Sequence, residues 1–242
     1  LVAACTASEC SYGATVDGDF YPTGTFELSA DKPFMCGNVL GEFSTNGSQL
    51  AGKQDPKVIT QEFFDLYYLP GITEEEALAR MEEKYGDRTE EVAEAYKEAY
   101  PQHELCDELF TSSRTNALAT AMAEYGGTVY QYVQAYDLPY MGGTTACHTA
   151  GDIPFFFRTV THSDLAFFLA GDEECGLKVM DEMSTALVNF AYTGDPSQDG
   201  LAWAAFTVEN GETMVFDRVS EVRNYHDKAY MDLRTEILSA TN

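Results

Sequence analysis

Positive charge is scarce in this sequence: 14 Lys and Arg stand against 40 Asp and Glu, a formal net charge of −26 at pH 7. A field of that sign repels phosphate backbones and anionic lipid headgroups, so neither nucleic acid nor a membrane surface is an expected partner. Long apolar runs are lacking too. The longest, Ile153 to Phe157 and Leu165 to Ala170, fall far short of the ~20 residues that a membrane helix needs. No segment joins a basic start, an apolar stretch and a small-residue cleavage site in the manner of a signal peptide. The expectation is a soluble protein.

The C-x-x-C spacing of zinc ribbons and thioredoxin-like sites is also missing. Cys5, Cys10, Cys36, Cys106, Cys147 and Cys175 are scattered through a long chain, unlike the dense spacing of a disulfide scaffold. A Cys5–Cys10 loop in an oxidising compartment stays open as a local bridge. Cys147 stands beside His148 with no second pair of ligands near it in sequence, so this reading finds no metal site and no cofactor.

What is present suffices for a folded domain: 242 residues, 45% of them hydrophobic, are enough for a real core. Between Gly71 and Phe110 there are 13 acidic residues against 4 basic ones. Apolar residues recur at helical spacing among them, which marks a solvated helical face rather than an acidic tail. Thr73 and Glu76 form a T-x-x-E capping box that starts one helix. Val58, Ile59, Phe63, Leu66 and Tyr67 share a helical face before it. Asp87 and Glu90 open another helix through Tyr96, and Ala117 to Tyr125 reads as one more.

Strands are fewer. Pro33 to Gly37 is a short apolar run stopped by glycine, Val129 to Val133 is β-branched and aromatic, and Thr213 to Phe216 is a late short strand. A loop runs from about Asp137 to Ala150. Leu177 to Tyr192 carries Met180, Met183, Leu187, Phe190 and Ala191 at 3–4 spacing, the clearest amphipathic helix, and Asp227 to Leu238 reads as a terminal helix. Helices alternating with buried strands indicate an α/β fold, with too few strands for a complete sheet.

Four histidines are present, His103, His148, His162 and His226, and a packed or solvent-facing histidine is the ordinary case for each. His148 is set apart by its loop, Met141 to His148, which follows a predicted strand, where α/β enzymes place working groups. Its segment, Cys147-His148-Thr149-Ala150-Gly151-Asp152-Ile153-Pro154 followed by three phenylalanines, resembles the histidine segment of the type-B carboxylesterases, the cholinesterase-like α/β-hydrolases. Three other segments resemble the family in the same order: Val16 to Pro22, Pro33 to Phe43, and Asn189 to Pro196 with Leu201 to Phe206.

The resemblance implies an α/β fold that is the C-terminal portion of an α/β-hydrolase, with residues 1–242 forming its C-terminal half and an inserted helical region at about 55–125. It implies that Glu42 is the triad acid and His148 the triad base, in the family's chain order of serine, acid, histidine. Asp152 resembles the acid that follows the histidine, one residue later than the usual spacing. The G-x-S-x-G of the nucleophile occurs nowhere in the sequence, and Gly142-Gly143 lies on the histidine loop rather than in the family's early oxyanion segment. The expected function is therefore the acid-and-base part of a serine carboxylester hydrolase, inactive alone. Its expected partners are a serine-bearing N-terminal half and a small carboxylic ester. The alternative is a non-catalytic binding or adhesion module of the same fold. Phe63, Phe64, Tyr67 and Tyr68 are candidates for an acyl pocket, although aromatic residues at helical spacing more often belong to a core. Acyl length, alcohol and compartment stay open.

Overall fold

The computed structural model describes residues 18–19, 25–41, 73–111, 116–138, 151–162, 169 and 171–240. Four strands form one sheet: β1 (Phe34–Val39), β2 (Val129–Gln134), β3 (Glu212–Phe216) and β4 (Glu221–Asn224), side by side in that order. The first three run parallel, and β4 turns back antiparallel on β3. Parallel neighbours need crossover connections. Between β1 and β2 lie α2 (Glu74–Tyr85), α3 (Thr89–Ala99) and α4 (Asn116–Glu124); between β2 and β3 lie α5 (Asp152–Phe156) and α6 (Glu173–Thr193). A short α1 (Thr25–Ser29) precedes the sheet and α7 (Lys228–Ala240) follows it.

All six residues of β2 are buried, as a central parallel strand with helices on both faces must be. Alternate side chains serve opposite faces. Val133 and Val215 join Leu40, Met81, Val92, Tyr96 and Tyr230 beneath α2, α3 and α7. Tyr130, Tyr132, Met214 and Phe216 meet Val179, Met180 and Met183 of α6, together with Trp203, on the other face. The acidic residues of α2 and α3 lie on the side away from Met81, Tyr85, Val92 and Tyr96 and form a solvated face, whereas Asp107 and Glu108 at the end of the acidic run are buried.

The Thr73 box is formed: Glu76 N–H donates to Thr73 Oγ1 at 3.2 Å, and Thr73 N–H donates to the Glu76 carboxylate at 2.8 Å. At the far end of α6, Gly194 takes the left-handed conformation (φ +79°) that ends a helix. Asn189 Nδ2 donates to the Ser197 carbonyl at 2.7 Å, which fixes the turn beyond it. Several short elements had no sequence signal, α1 among them. The five residues of α5 are too few for a period, and Pro154 sits within its first turn, where proline is tolerated. The edge strand β4, Glu-Val-Arg-Asn, is mostly polar and partly exposed. The 3₁₀ segment Leu105–Phe110 has neither helical nor strand periodicity. The expected helical face from Val58 to Tyr67 lies outside the described residues, as do the pocket candidates Phe63, Phe64, Tyr67 and Tyr68.

Gly37 on β1 faces Tyr132 of β2, and a Cβ at position 37 would fall 2.4 Å from the Tyr132 ring and 2.5 Å from its carbonyl oxygen. Gly37→Ala therefore pushes the two strands apart at the centre of their ladder. The expected cost is about 2–3 kcal/mol, a fall in melting temperature of roughly 5–10 °C. A thermal melt followed by circular dichroism measures it, and an unchanged Tm contradicts the packing described.

Candidate active-site edge

The carboxyl ends of β1 and β2 sit side by side, with Val39 opposite Gln134. Leu40 N–H still donates to the Gln134 carbonyl at 2.8 Å, and Leu40 and Gly41 are buried. The chain leading to Glu42 thus leaves the sheet beside the chain leading towards His148. Glu42 and His148 themselves lie outside the described residues, as does Cys147. The edge that delivers both segments is the carboxyl edge of a parallel sheet, where open α/β folds bind ligands.

Beyond His148 the described residues begin again at Gly151. Asp152 opens α5 and accepts a hydrogen bond from the Tyr132 hydroxyl at 2.8 Å. The ring of Tyr132, pressed against Gly37, therefore ties the exit of the histidine segment back to the sheet. Phe155 is buried in the same core, 6.0 Å from the Tyr136 ring, and Phe156 stacks edge-on with Tyr132 at 5.2 Å.

A second group of ionisable residues gathers at this edge, and the sequence reading did not single it out. His103 follows α3, Asp107 lies in the 3₁₀ segment, Asp137 comes three residues after β2 and Asp217 immediately after β3. His103 Nε2 lies 3.0 Å from Asp217 Oδ2, while Nδ1 lies 3.4 Å from Asp107 Oδ2 and 3.6 Å from Asp137 Oδ2. Burial opposes a charge on His103, but the three carboxylates together outweigh it and hold the imidazole pKa well above its ordinary value. Burial pushes the Asp137 carboxyl up to about 7, with Asp107 and Asp217 adding to the effect against the pull of His103. Asp217 is also opposed by burial, yet its bond to His103 and the Arg218 N–H at 2.7 Å keep it below the usual range. Cys106 next to the group is pushed up to about 12, first by burial and then by Asp107, and is an inert thiol. One signal was available in the sequence, the i, i+4 pair His103 and Asp107; the other two acids join it only through the fold.

The profile of the carboxylesterase family matches residues 3–233, nearly the whole chain. The chain belongs to the carboxylesterase family. Its fold is the corresponding part of an α/β-hydrolase. It resembles a solved esterase from Clostridium hathewayi, described as able to hydrolyse aliphatic aromatic polyesters, with a TM-score of 0.75 and 26% identity over 98% of this chain and 45% of that one. A Geobacillus stearothermophilus carboxylesterase shares the fold at 24% identity and a TM-score of 0.56, covering 96% of this chain and 48% of that one. A fumonisin B1 esterase of Sphingopyxis macrogoltabida is 30% identical over 162 residues, 61% of this chain and 29% of the relative. The chain spans less than half the length of each. Among the described residues, no helix is long and apolar enough to cross a membrane.

Proposed function

We propose that this chain is the acid-and-base part of a serine carboxylester hydrolase. In this reading Glu42 is the triad acid and His148 the general base, and the nucleophilic serine and oxyanion hole belong to an N-terminal half. The observation that carries it is the parallel pairing of β1 with β2, whose neighbouring carboxyl ends lead to the two residues in the order the family requires. The missing G-x-S-x-G agrees with it, and so does the span of less than half of the relatives. The helices α2, α3 and α4 lie between β1 and β2 in the chain, which supports reading the region at about 55–125 as a helical insertion.

The chemistry follows from the residue types. Glu42 accepts the Nδ1–H of His148, which fixes the tautomer and stabilises the imidazolium; Nε2 takes the proton of the serine hydroxyl as it attacks the ester carbonyl. The alcohol departs with that proton, leaving an acyl-enzyme. His148 then draws a proton from water, which releases the acid and restores the serine. The substrate class is a carboxylic ester, the bond named in the descriptions of the fumonisin and polyester relatives.

The test is hydrolysis of a short-chain aryl ester by the chain alone and after joining it to a serine-bearing half. No turnover alone and turnover after joining is the expected result. Turnover by the chain alone, abolished by His148→Ala, contradicts the division of the site.

A further inference from the structure

His103 presents a geometry that the ester chemistry does not use. Its side chain is 2% exposed, and those of Asp107 and Asp217 are 0% and 5% exposed. With Nε2–H donating to Asp217, Nδ1 faces the carboxylates of Asp107 and Asp137, so a positive centre stands between them: the ring's own second proton in the metal-free protein, or a metal ion that displaces it. Neither His103 Nδ1 nor Asp137 Oδ1 makes a hydrogen bond among the described residues. The distances from Nδ1, 3.4 and 3.6 Å, exceed the 2.7–3.2 Å of an N–H···O bond. They approach the edge of a tetrahedron around a zinc-sized ion, about 3.3–3.4 Å for bonds of about 2.0–2.1 Å. One ligand atom from each of His103, Asp107 and Asp137 lies within 4.8 Å of the other two.

We infer that His103 Nδ1 and the carboxylates of Asp107 and Asp137 bind a first-row divalent ion of the zinc class, with Asp217 orienting the imidazole from behind. Asp217 occupies the place that a carboxylate takes in metal sites, accepting the second ring N–H of the ligating histidine. A nitrogen ligand with two or so carboxylates suits zinc or cobalt rather than magnesium or calcium, which favour all-oxygen shells. A cavity of about 350 Å³ lined by Glu74, Lys97, His103, Glu104, Leu105 and Cys106 borders the histidine and is the nearest approach for an ion from solvent. The ion ties the turn after α3 and the 3₁₀ segment to the exit of β2, the strand whose continuation leads to His148. Its role is structural: it holds the edge on which the ester chemistry depends. The inference stands independently of the triad reading.

The experiment uses the full chain stripped of metal and titrated with Zn²⁺ by calorimetry, with Co²⁺ as a spectroscopic probe. One equivalent of Zn²⁺ is expected to bind, and Co²⁺ is expected to give the visible absorption of a four-coordinate nitrogen and oxygen site. His103→Gln should lower the affinity more than 100-fold, and Asp217→Asn, which removes no ligand, 10–100-fold. At a hundredfold excess over Kd, Zn²⁺ should raise the melting temperature by roughly 5–10 °C, a shift lost in His103→Gln. Absence of stoichiometric binding overturns the proposal. So does binding that His103→Gln leaves intact, or equal competition by Ca²⁺. If His103→Gln does not fold, the Co²⁺ spectrum of the unaltered chain decides, its absence counting against the site.

Discussion

In the complete enzyme proposed above, His148→Ala is expected to lower kcat about 10⁶-fold, and Glu42→Gln about 10⁴-fold, with KM changed little in either case. The ranking follows from the role proposed for each group. Without His148 nothing takes the serine proton, and both acylation and deacylation lose their base. Without the Glu42 carboxylate the imidazole remains, but its tautomer and orientation are no longer held, and the imidazolium that forms in the transition state loses its counter-charge. The two losses should not add, because the residues act as a unit; the double variant should be close to His148→Ala alone. Steady-state hydrolysis of an aryl ester measures all three. A His148→Ala enzyme within tenfold of the parent would remove His148 from the mechanism, and Glu42→Gln at full rate would do the same for Glu42.

Asp152 offers a contrast within the same segment. Its described hydrogen bond is with the Tyr132 hydroxyl, and in the proposed site that contact would position the histidine segment. Tyr132→Phe removes the hydroxyl and keeps the ring against Gly37. The expected result is a kcat reduced about tenfold with stability lowered by about 1 kcal/mol, the worth of one hydrogen bond. A variant that loses stability but keeps its full kcat would show that the contact is only structural.

The parts of this fold that were legible in its sequence are those whose signal is local. Val129-Tyr130-Gln131-Tyr132-Val133 announces a strand by residue type, and the structure extends it by one residue to Gln134. The Thr73 box requires only two residues three apart, and both of its bonds are formed. The helix through Met180 and Met183 runs longer than its apolar stripe, from Glu173 to Thr193: it gains a first turn opened by Glu173 and Glu174 and one residue before Gly194 ends it. The segments carrying Glu42 and His148 resemble the family's, and both residues lie outside the described ones; what the structure adds is that β1, which precedes Glu42, pairs in parallel with β2, which precedes His148.

What was not legible is contact across the chain. His103 reads as one ordinary histidine among four until Asp217, 114 positions away, is brought to 3.0 Å by the end of β3. Periodicity cannot report such a meeting. It arises because parallel strands deliver their C-terminal residues to one edge, so Asp137 and Asp217 arrive together whatever separates them in sequence. The absence of C-x-x-C correctly describes the cysteines, but it says nothing of a ligand set drawn from three segments.

Glu108 is the other case of a residue defined by distant partners, and Glu108→Ala is expected to lower stability by about 3–5 kcal/mol. Its carboxylate is fully buried, with Tyr85 donating to Oε1 at 2.5 Å and Tyr230, 122 positions away, at 2.9 Å. Arg234 Nε lies 3.3 Å from the same oxygen and Lys84 Nζ 3.8 Å from the other. These contacts join α2, the 3₁₀ segment and α7. Burial lowers the Lys84 pKa against the pull of Glu108, so removing the carboxylate leaves a half-buried amine and a largely buried guanidinium without their counter-charge. Two phenol hydroxyls lose an acceptor as well. Glu108→Gln keeps the volume and one acceptor oxygen, and should cost roughly half as much. Urea unfolding at neutral pH distinguishes the two variants. A cost for Glu108→Ala below about 1 kcal/mol would mean that the helices on this face are held by their apolar contacts alone, with the ionic knot contributing nothing net.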